Sequence, residues 1–273
     1  MTAPPTPATG EEAAALRARL ARVGTCAAID ILRKHGGAER IPVERLVIRD
    51  VRPLLPLGGR GAPSVAGPAR TLRFLPARDD VAASPNGRVN FDLIDGVRPG
   101  EVLVFDTARG LGGSVLGDML ALRAARNGAA GVVTDGVMRD LAGLASVGLP
   151  VFASGVRPYP FIGTLIPWEA DVPIQCGGAL VLPGDWILAD ADAVLVLPRT
   201  LAGLVADGAD ALASEEAFCR ALLERGHPLR EAYPMPPGLR PHYERYLRDG
   251  VLPGPDEVSR AAATGMGPTR EVS

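Results

Sequence analysis

Apolar residues recur every four positions from Leu116 to Ala124, which predicts a helix that begins at Gly117. Residues 131–134 are then short, apolar and β-branched, as in a buried strand. The pair Arg139–Asp140 follows that strand directly, at the place where α/β proteins bind their ligands. This stretch is therefore a candidate site.

The same patterns along the rest of the chain predict an α/β fold. Predicted helices cover residues 11–23, 25–36, 90–95, 117–127 and 140–147, followed by two helical segments between 200 and 225, the second beginning at Ser214. Predicted strands cover residues 65–75, 101–106, 131–134, 149–153, 177–182, 186–189 and 193–197, the last two as a hairpin. Thr25 is the expected N-cap of the second helix.

No internal repeat or clear linker divides the chain, so we expect one domain with additions at its ends. Residues 1–10 are rich in Pro, Thr and Ala and are expected to form a flexible tail. Residues 11–200 would form the α/β domain. Residues 201–273 would form a helical and Pro-rich extension that lies on this domain or on a neighbouring subunit.

Composition narrows the classes of function. A hydrophobic content of 47% with 22% charged residues is typical of a globular protein. A formal net charge of −2 gives no electrostatic case for a nucleic acid or an acidic membrane as partner. No window approaches the roughly 18 apolar residues of a membrane span. Three isolated cysteines, Cys26, Cys176 and Cys219, predict reduced, buried thiols in a cytoplasmic protein.

The candidate site combines three kinds of ligand-binding group. A helix that begins at Gly117 offers unpaired backbone N–H groups and a partial positive charge to an anion. The planar guanidinium of Arg139 matches a carboxylate with two parallel hydrogen bonds. Asp140 could anchor a magnesium ion whose other ligands are waters and substrate oxygens. Together these groups suit a small anion with a chelating oxygen, such as a 2-keto acid.

Each of these residues also has a structural explanation. Gly117–Asp118 could be only a junction between a loop and a helix with an acidic first turn. Asp140 could cap the following helix, and Arg139 could be a solvated surface charge. Asp135 is expected to be a turn residue before Gly136. The three histidines have no metal-ligand spacing.

The order and spacing of several segments resemble the RraA-like family, which comprises regulator of ribonuclease activity A and the 4-hydroxy-4-methyl-2-oxoglutarate aldolases. The likeness runs from Thr25 to Pro198. The segments that carry it are Gly67–Thr71, Gly117–Leu120, Gly128–Asp140, Leu149–Ala153 and Leu182–Asp190.

The resemblance implies a swivelling β/β/α fold that assembles into trimers, sometimes paired into hexamers, with active sites between subunits. It also implies that the keto-acid carboxylate is held by the backbone amides of Gly117, Asp118, Met119 and Leu120. Arg139 would contact the substrate, and Asp140 would anchor Mg²⁺ or Mn²⁺ partly through waters. Many aldolases of the family have Glu where this chain has Asp118.

The expected function is that of a divalent-metal-dependent lyase that cleaves a C–C bond in a 2-keto acid and releases pyruvate. Its substrate would resemble 4-hydroxy-4-methyl-2-oxoglutarate, with decarboxylation of oxaloacetate as a related activity. Arg139 and Asp118 are the expected catalytic residues, since a water near either could act as the base. The alternatives are a non-catalytic inhibitor that binds a ribonuclease and a sugar-acid lyase or hydratase on the same scaffold.

Overall fold

The computed structural model describes residues 10–35, 42–57, 65–81, 86–109 and 112–264. Its contacts divide the chain into two compact units, Met1–Ala206 and Asp207–Ser273. The predicted flexible tail lies outside the described residues except for Gly10, where the first helix begins.

The described residues form both helices and strands. The helices are α1 (Gly10–Leu20), α2 (Thr25–His35), α3 (Val89–Asp95), α4 (Asp118–Arg126), α5 (Leu141–Val147), α6 (Arg199–Glu224), α7 (Leu229–Ala232), α8 (Arg240–Asp249) and α9 (Pro255–Thr264). The strands are β1 (Arg52–Pro53), β2 (Val65–Pro76), β3 (Val102–Asp106), β4 (Gly131–Thr134), β5 (Val137–Met138), β6 (Val151–Ala153), β7 (Gly155–Val156), β8 (Leu165–Ala170), β9 (Ile174–Cys176), β10 (Ala179–Val181), β11 (Trp186–Ala189) and β12 (Val194–Leu197). The α/β class is confirmed.

The main sheet of the first unit has the strand order β1-β6-β4-β3-β2-β11-β12, and β8 pairs with β2. The long strand β2 is its centre. It pairs with β11 at one end, with β3 in parallel, and with β8 on both sides of a register shift at Arg73/Phe74. The predicted hairpin of β11 and β12 is confirmed. The strands β8 and β9 were not predicted, because their short segments show no clear alternation of apolar and polar residues.

The parallel part of the sheet positions the candidate site. Strand β3 pairs in parallel with β2 and β4, and β4 pairs in parallel with β6. Their carboxyl ends therefore lie along one edge, where ligands bind in open α/β sheets. Strand β3 is apolar almost throughout because both of its faces are covered: Leu103 and Phe105 belong to one hydrophobic cluster, and Val102 and Val104 belong to another.

The start of α2 differs from the prediction. Thr25 is the first residue of the helix and does not act as its N-cap. Its backbone N–H donates to Asp190 Oδ2 over 2.7 Å, and its hydroxyl donates to Asp190 Oδ1 over 2.8 Å. Asp190, in the connection between β11 and β12, thus accepts hydrogen bonds at the start of α2, where a negative charge is favourable.

The C-terminal region also differs from the prediction. One continuous helix, α6, replaces the two predicted segments, so the Ser214 start was wrong. Alanine and leucine on both sides of this position favour a helix, which explains the continuity. The second unit also has its own hydrophobic cluster, which includes residues of α6 and of the helices after it. In it Phe218 packs edge-on against Tyr243, with ring centroids 5.5 Å apart.

We predict that Phe105→Ala lowers the free energy of unfolding of the protein by about 3–5 kcal/mol, the usual cost of deleting a buried aromatic side chain. Phe105 is 1% exposed and packs against Phe74 with ring centroids 6.1 Å apart. Urea unfolding followed by circular dichroism measures the change. Leu180→Ala, at a side chain 64% exposed, is the control. Equal losses in the two variants would contradict the core described above.

Candidate active site

Backbone pairing brings the two halves of the predicted site together. The N–H of Val115 donates to the carbonyl of Val137 over 3.0 Å, and the N–H of Arg139 donates to the carbonyl of Leu116 over 3.3 Å. The segment that leads into α4 therefore lies directly beside the segment that follows β4. The structure confirms the proximity that the sequence pattern suggested.

Gly117 lies at the point of closest approach. A Cβ atom on Gly117 would lie 2.6 Å from Asp140 Oδ2 and 3.1 Å from Arg139 Nε. Gly117 is the N-cap of α4 with an extended backbone, so its φ of −121° does not require glycine. A side chain at this position would have to displace these two side-chain groups, so the absence of one leaves room for the Arg139–Asp140 pair.

Arg139 and Asp140 form an ion pair, with Arg139 Nε 3.2 Å from Asp140 Oδ2. Their side chains are 38% and 44% exposed, so solvent reaches both. Asp140 precedes α5 in the left-handed conformation, with φ 61°, and its side chain makes no capping hydrogen bond. A side-chain helix cap therefore does not explain Asp140. A backbone held in this sparsely populated region is a common feature of functional sites.

Not all backbone N–H groups in the first turn of α4 are available to a ligand. Helical hydrogen bonding begins with the N–H of Ala121, which donates to the carbonyl of Gly117. The amides of the three residues before Ala121 have no partner inside the helix. One of them is taken, because the N–H of Met119 donates to Asp118 Oδ1 over 2.8 Å. The amides of Asp118 and Leu120 are the remaining donors of this turn.

The carboxylate of Asp118 is held over the neighbouring helix α5. A Cβ atom on Gly143 would lie 2.5 Å from Asp118 Oδ2, so the absence of a side chain at Gly143 leaves the space that Asp118 occupies. The side chain of Met119, by contrast, is 72% exposed. Of the four predicted residues of this turn, Gly117 lies against the Arg139–Asp140 pair, and the side chain of Asp118 lies against Gly143 of α5.

Asp135 has a larger role than the predicted turn residue. Its buried carboxylate accepts hydrogen bonds from the N–H and hydroxyl of Thr107 over 2.8 and 2.9 Å. It also accepts from the N–H groups of Arg109 and Gly177 over 3.3 and 3.2 Å. One side chain at the end of β4 thus fastens the loop after β3 and the loop between β9 and β10.

Two further buried groups lie at this edge of the sheet. Burial raises the pKa of the Asp106 carboxyl, against the opposing effect of hydrogen bonds from the N–H groups of Ala108 and Gln175. Burial also raises the pKa of the Cys176 thiol well above its ordinary value, so it stays protonated. Cys176 and Cys219 are buried as predicted, whereas Cys26 is exposed and the prediction was wrong there.

The side chains at the site suit a metal ion that binds a single protein carboxylate. Within the described ranges no three His, Cys, Asp or Glu side chains cluster as a metal site. A closed protein cage is therefore absent from that part of the chain. The partly exposed carboxylate of Asp140 suits a magnesium ion, which commonly uses one or two protein carboxylates and keeps several waters.

Residues 25–196 match the family model described as RraA-like, Aldolase/RraA. The chain belongs to this family. A protein from Albidiferax ferrireducens, provisionally named a 4-hydroxy-4-methyl-2-oxoglutarate aldolase, is 36% identical over 136 residues, 50% of this chain and 78% of its own length. A protein of the same name from Halalkalibacterium halodurans is 35% identical over 135 residues, 50% of this chain and 60% of its own length.

Solved structures agree with this assignment of the RraA-like family. The crystal structure of Streptomyces coelicolor RraAS2 is 34% identical, with a TM-score of 0.65, and the match covers 80% of this chain and 99% of that protein. It is described as an unusual member of the RNase ES inhibitor RraA protein family. A protein from Pseudomonas syringae, 23% identical with a TM-score of 0.67 over 84% of this chain and 99% of its own, shares the fold. The predicted RraA-like fold with C-terminal helices is confirmed.

We predict that Gly117→Ala separates the Arg139–Asp140 pair, because the new methyl group needs the space of the Asp140 carboxylate. The free energy of unfolding should change little, because both displaced groups are partly exposed ends of flexible side chains. The resonance of the Arg139 Nε–H group in a nitrogen–proton correlation spectrum should shift.

Gly203→Ala is the matched control, since no atom lies within 4 Å of a Cβ at this helical glycine. Alanine there should stabilise the helix slightly and leave the Arg139 resonance in place. An unmoved Arg139 resonance in Gly117→Ala would show that the close packing at Gly117 is wrong.

Proposed function

We propose that this protein is a lyase that cleaves a C–C bond in a 2-keto acid and releases pyruvate, with a divalent metal as cofactor. The observation that carries the proposal is the close approach of a helix start, a guanidinium and a partly exposed carboxylate at Gly117. Relatives provisionally named as 4-hydroxy-4-methyl-2-oxoglutarate aldolases support the same activity.

The helix start and Arg139 would bind the acid end of the substrate. The amides of Asp118 and Leu120 lie in the first turn of α4, where the helix dipole favours an anion. Arg139 beside them can donate paired hydrogen bonds to a carboxylate. The amide of Met119 would join them if the substrate displaced the Asp118 carboxylate, which now accepts its hydrogen bond.

Asp140 would hold the metal, Mg²⁺ or Mn²⁺, partly through waters. When bound, such an ion supplies a positive charge that favours electron density on the keto oxygen of the substrate. Two observations support this role: the Asp140 carboxylate lies beside Arg139 and Gly117, and its backbone has the left-handed conformation. Arg139 would add a second positive charge at the same oxygen or at the neighbouring carboxylate.

The reaction then needs a base at the far side of the breaking bond. A water held near Asp118 would take the proton of the 4-hydroxyl group as the bond between C3 and C4 breaks. The hydroxyl carbon becomes a carbonyl, and the electron pair of the bond passes to the enolate of pyruvate. Protonation of that enolate at C3 releases pyruvate. Loss of carbon dioxide from oxaloacetate gives the same enolate, so we propose this as a second activity.

We further propose that the site is completed by another copy of the chain, in a trimer or hexamer. The side chain of Met119, at the helix start, is 72% exposed although it is apolar. An apolar side chain of this size beside a binding site is a suitable contact for a neighbouring subunit.

A cytoplasmic location stays a prediction. In the described part of the chain every helix is too short or too polar to serve as a membrane span.

A second candidate function is the inhibition of a ribonuclease by direct binding. The 34% identity to RraAS2, described as a member of an RNase inhibitor family, favours it. This role requires neither Arg139 nor Asp140. Turnover of a keto acid that depends on these two residues would therefore separate the two functions.

We predict that Asp140→Asn raises the magnesium concentration needed for half-maximal pyruvate release by at least about 10- to 100-fold, the usual cost of removing a group that supports a metal. Pyruvate release from 4-hydroxy-2-oxoglutarate is followed with lactate dehydrogenase, first with magnesium and then with a chelator. The chelator should abolish release by the unaltered protein.

Asp95→Asn is the control, because Asp95 is an exposed partner of Arg123 at the other end of α4. It should leave the magnesium dependence unchanged. Pyruvate release that survives both the chelator and Asp140→Asn would contradict the metal-dependent reaction.

A further inference from the structure

Ser114 is a buried serine in the segment that leads into α4, and the function proposed above gives it no role. Ser114 is 3% exposed, so its hydroxyl needs a hydrogen-bond partner from the protein. The hydroxyl donates to the carbonyl of Leu116 over 2.8 Å. Leu116 directly precedes Gly117, the N-cap of α4, so this bond lies next to the candidate active site.

The carbonyl of Leu116 accepts two hydrogen bonds. One comes from the hydroxyl of Ser114 over 2.8 Å, and the other comes from the backbone N–H of Arg139 over 3.3 Å. A carbonyl oxygen has two lone pairs, so both bonds can form at once. One carbonyl group thus joins the buried hydroxyl to the first residue of the Arg139–Asp140 pair.

The bond from the hydroxyl orients the peptide group between Leu116 and Gly117. Its length is ordinary for a hydroxyl donor, whereas the bond from the Arg139 N–H is longer than most bonds of its kind. The hydroxyl is therefore the firmer of the two restraints. Because the peptide group is planar, a rotation of the Leu116 carbonyl would also turn the Gly117 N–H.

Such a rotation would disturb the tightest packing of the site. The backbone of Gly117 lies directly beside Arg139 and Asp140, with no space for even a Cβ atom between them. A small change at Leu116 would therefore move the start of α4 relative to the guanidinium of Arg139. These are the two groups that the proposed function places around one carboxylate.

The main chain of Ser114 is fastened to the loop that follows β7. The N–H of Ser114 donates to the carbonyl of Tyr159 over 2.9 Å, and the N–H of Phe161 donates to the carbonyl of Ser114 over 3.0 Å. The neighbouring Gly113 has no space for a side chain, because a Cβ atom there would overlap the carbonyl of Pro160. These contacts involve only the backbone of Ser114, so a change of its side chain leaves them in place.

We infer that Ser114 is a positioning residue of the active site. Its hydroxyl holds the carbonyl of Leu116, and through that carbonyl it holds Arg139 and the start of α4 in the arrangement that receives the substrate carboxylate. The inference rests on the proposed function, which assigns that carboxylate to these two groups. Ser114 acts only through Leu116, so its loss removes no group that reacts.

The test changes the hydroxyl in two ways and observes Arg139 directly. Ser114→Ala removes the donor and its volume, whereas Ser114→Cys keeps a side chain of similar shape whose thiol is a weak donor. Nitrogen–proton correlation spectra report the resonance and the hydrogen-exchange rate of the Arg139 backbone N–H. Both variants should shift this resonance and raise its exchange rate up to about ten-fold. The N–H of Phe161, whose bond to the Ser114 carbonyl is kept, should exchange at its original rate.

Titration with pyruvate in magnesium buffer, followed in the same spectra, measures the effect on binding. Both variants should bind pyruvate about three- to ten-fold more weakly than the unaltered protein, as for the loss of one hydrogen bond. In the turnover of 4-hydroxy-2-oxoglutarate, KM should rise by a similar factor and kcat should change less. This pattern is expected because the carboxylate is bound both before and during the reaction.

Ser146→Ala is the matched control, because it also deletes a hydroxyl that donates to a backbone carbonyl, that of Ala142 in α5, over 3.1 Å. Ser146 is exposed and bonds within its own helix, so the Arg139 resonance and the affinity for pyruvate should stay unchanged. An Arg139 N–H that is unmoved in either Ser114 variant would overturn the inference. Weak binding in Ser114→Ala with normal binding in Ser114→Cys would also overturn it, because the side chain would then act only by filling space.

The Arg139 N–H is observed without substrate, so failure of the proposed function is distinguishable. A shifted Arg139 N–H in variants of a protein that releases no pyruvate would support the link from Ser114 to Arg139 and reject the lyase. Pyruvate release with the same KM in the unaltered protein and both Ser114 variants would support the lyase and reject the positioning role.

Discussion

The approach of the Gly117 backbone to the Arg139–Asp140 pair is the constraint on which the site depends. A single Cβ atom at Gly117 would occupy the space of the Asp140 carboxylate, 2.6 Å away. The start of α4, a guanidinium and a carboxylate can therefore face one small volume. Groups that are held in place before a ligand arrives stabilise developing charge better than groups that must move.

The parallel part of the sheet brings the segments of the site together. Because β3, β4 and β6 are parallel, their carboxyl ends lie on one edge, and the loops that leave them must pack together there. Asp135 fastens those loops through four hydrogen bonds, two of them from Thr107. The candidate active site lies beside this edge, where the segment after β4 pairs with the segment before α4.

The sequence predicts features that depend on local spacing, including α4 with its start at Gly117, the strand before Arg139 and the hairpin of β11 and β12. It does not predict features that depend on distant partners. Asp190 at the start of α2 lies 165 residues from Thr25, and no local pattern indicates that contact. Asp135 looks like a turn residue because Gly136 follows it, although its position at the end of a buried strand is a usable signal.

The formation of the pyruvate enolate is the central claim, and exchange of the methyl hydrogens of pyruvate in deuterated water measures it directly. The account predicts that the protein with magnesium speeds this exchange, that a chelator stops it, and that Asp140→Asn slows it at the same magnesium concentration. Exchange no faster than in buffer alone, in the presence of magnesium and folded protein, would contradict the account and favour the ribonuclease-binding function.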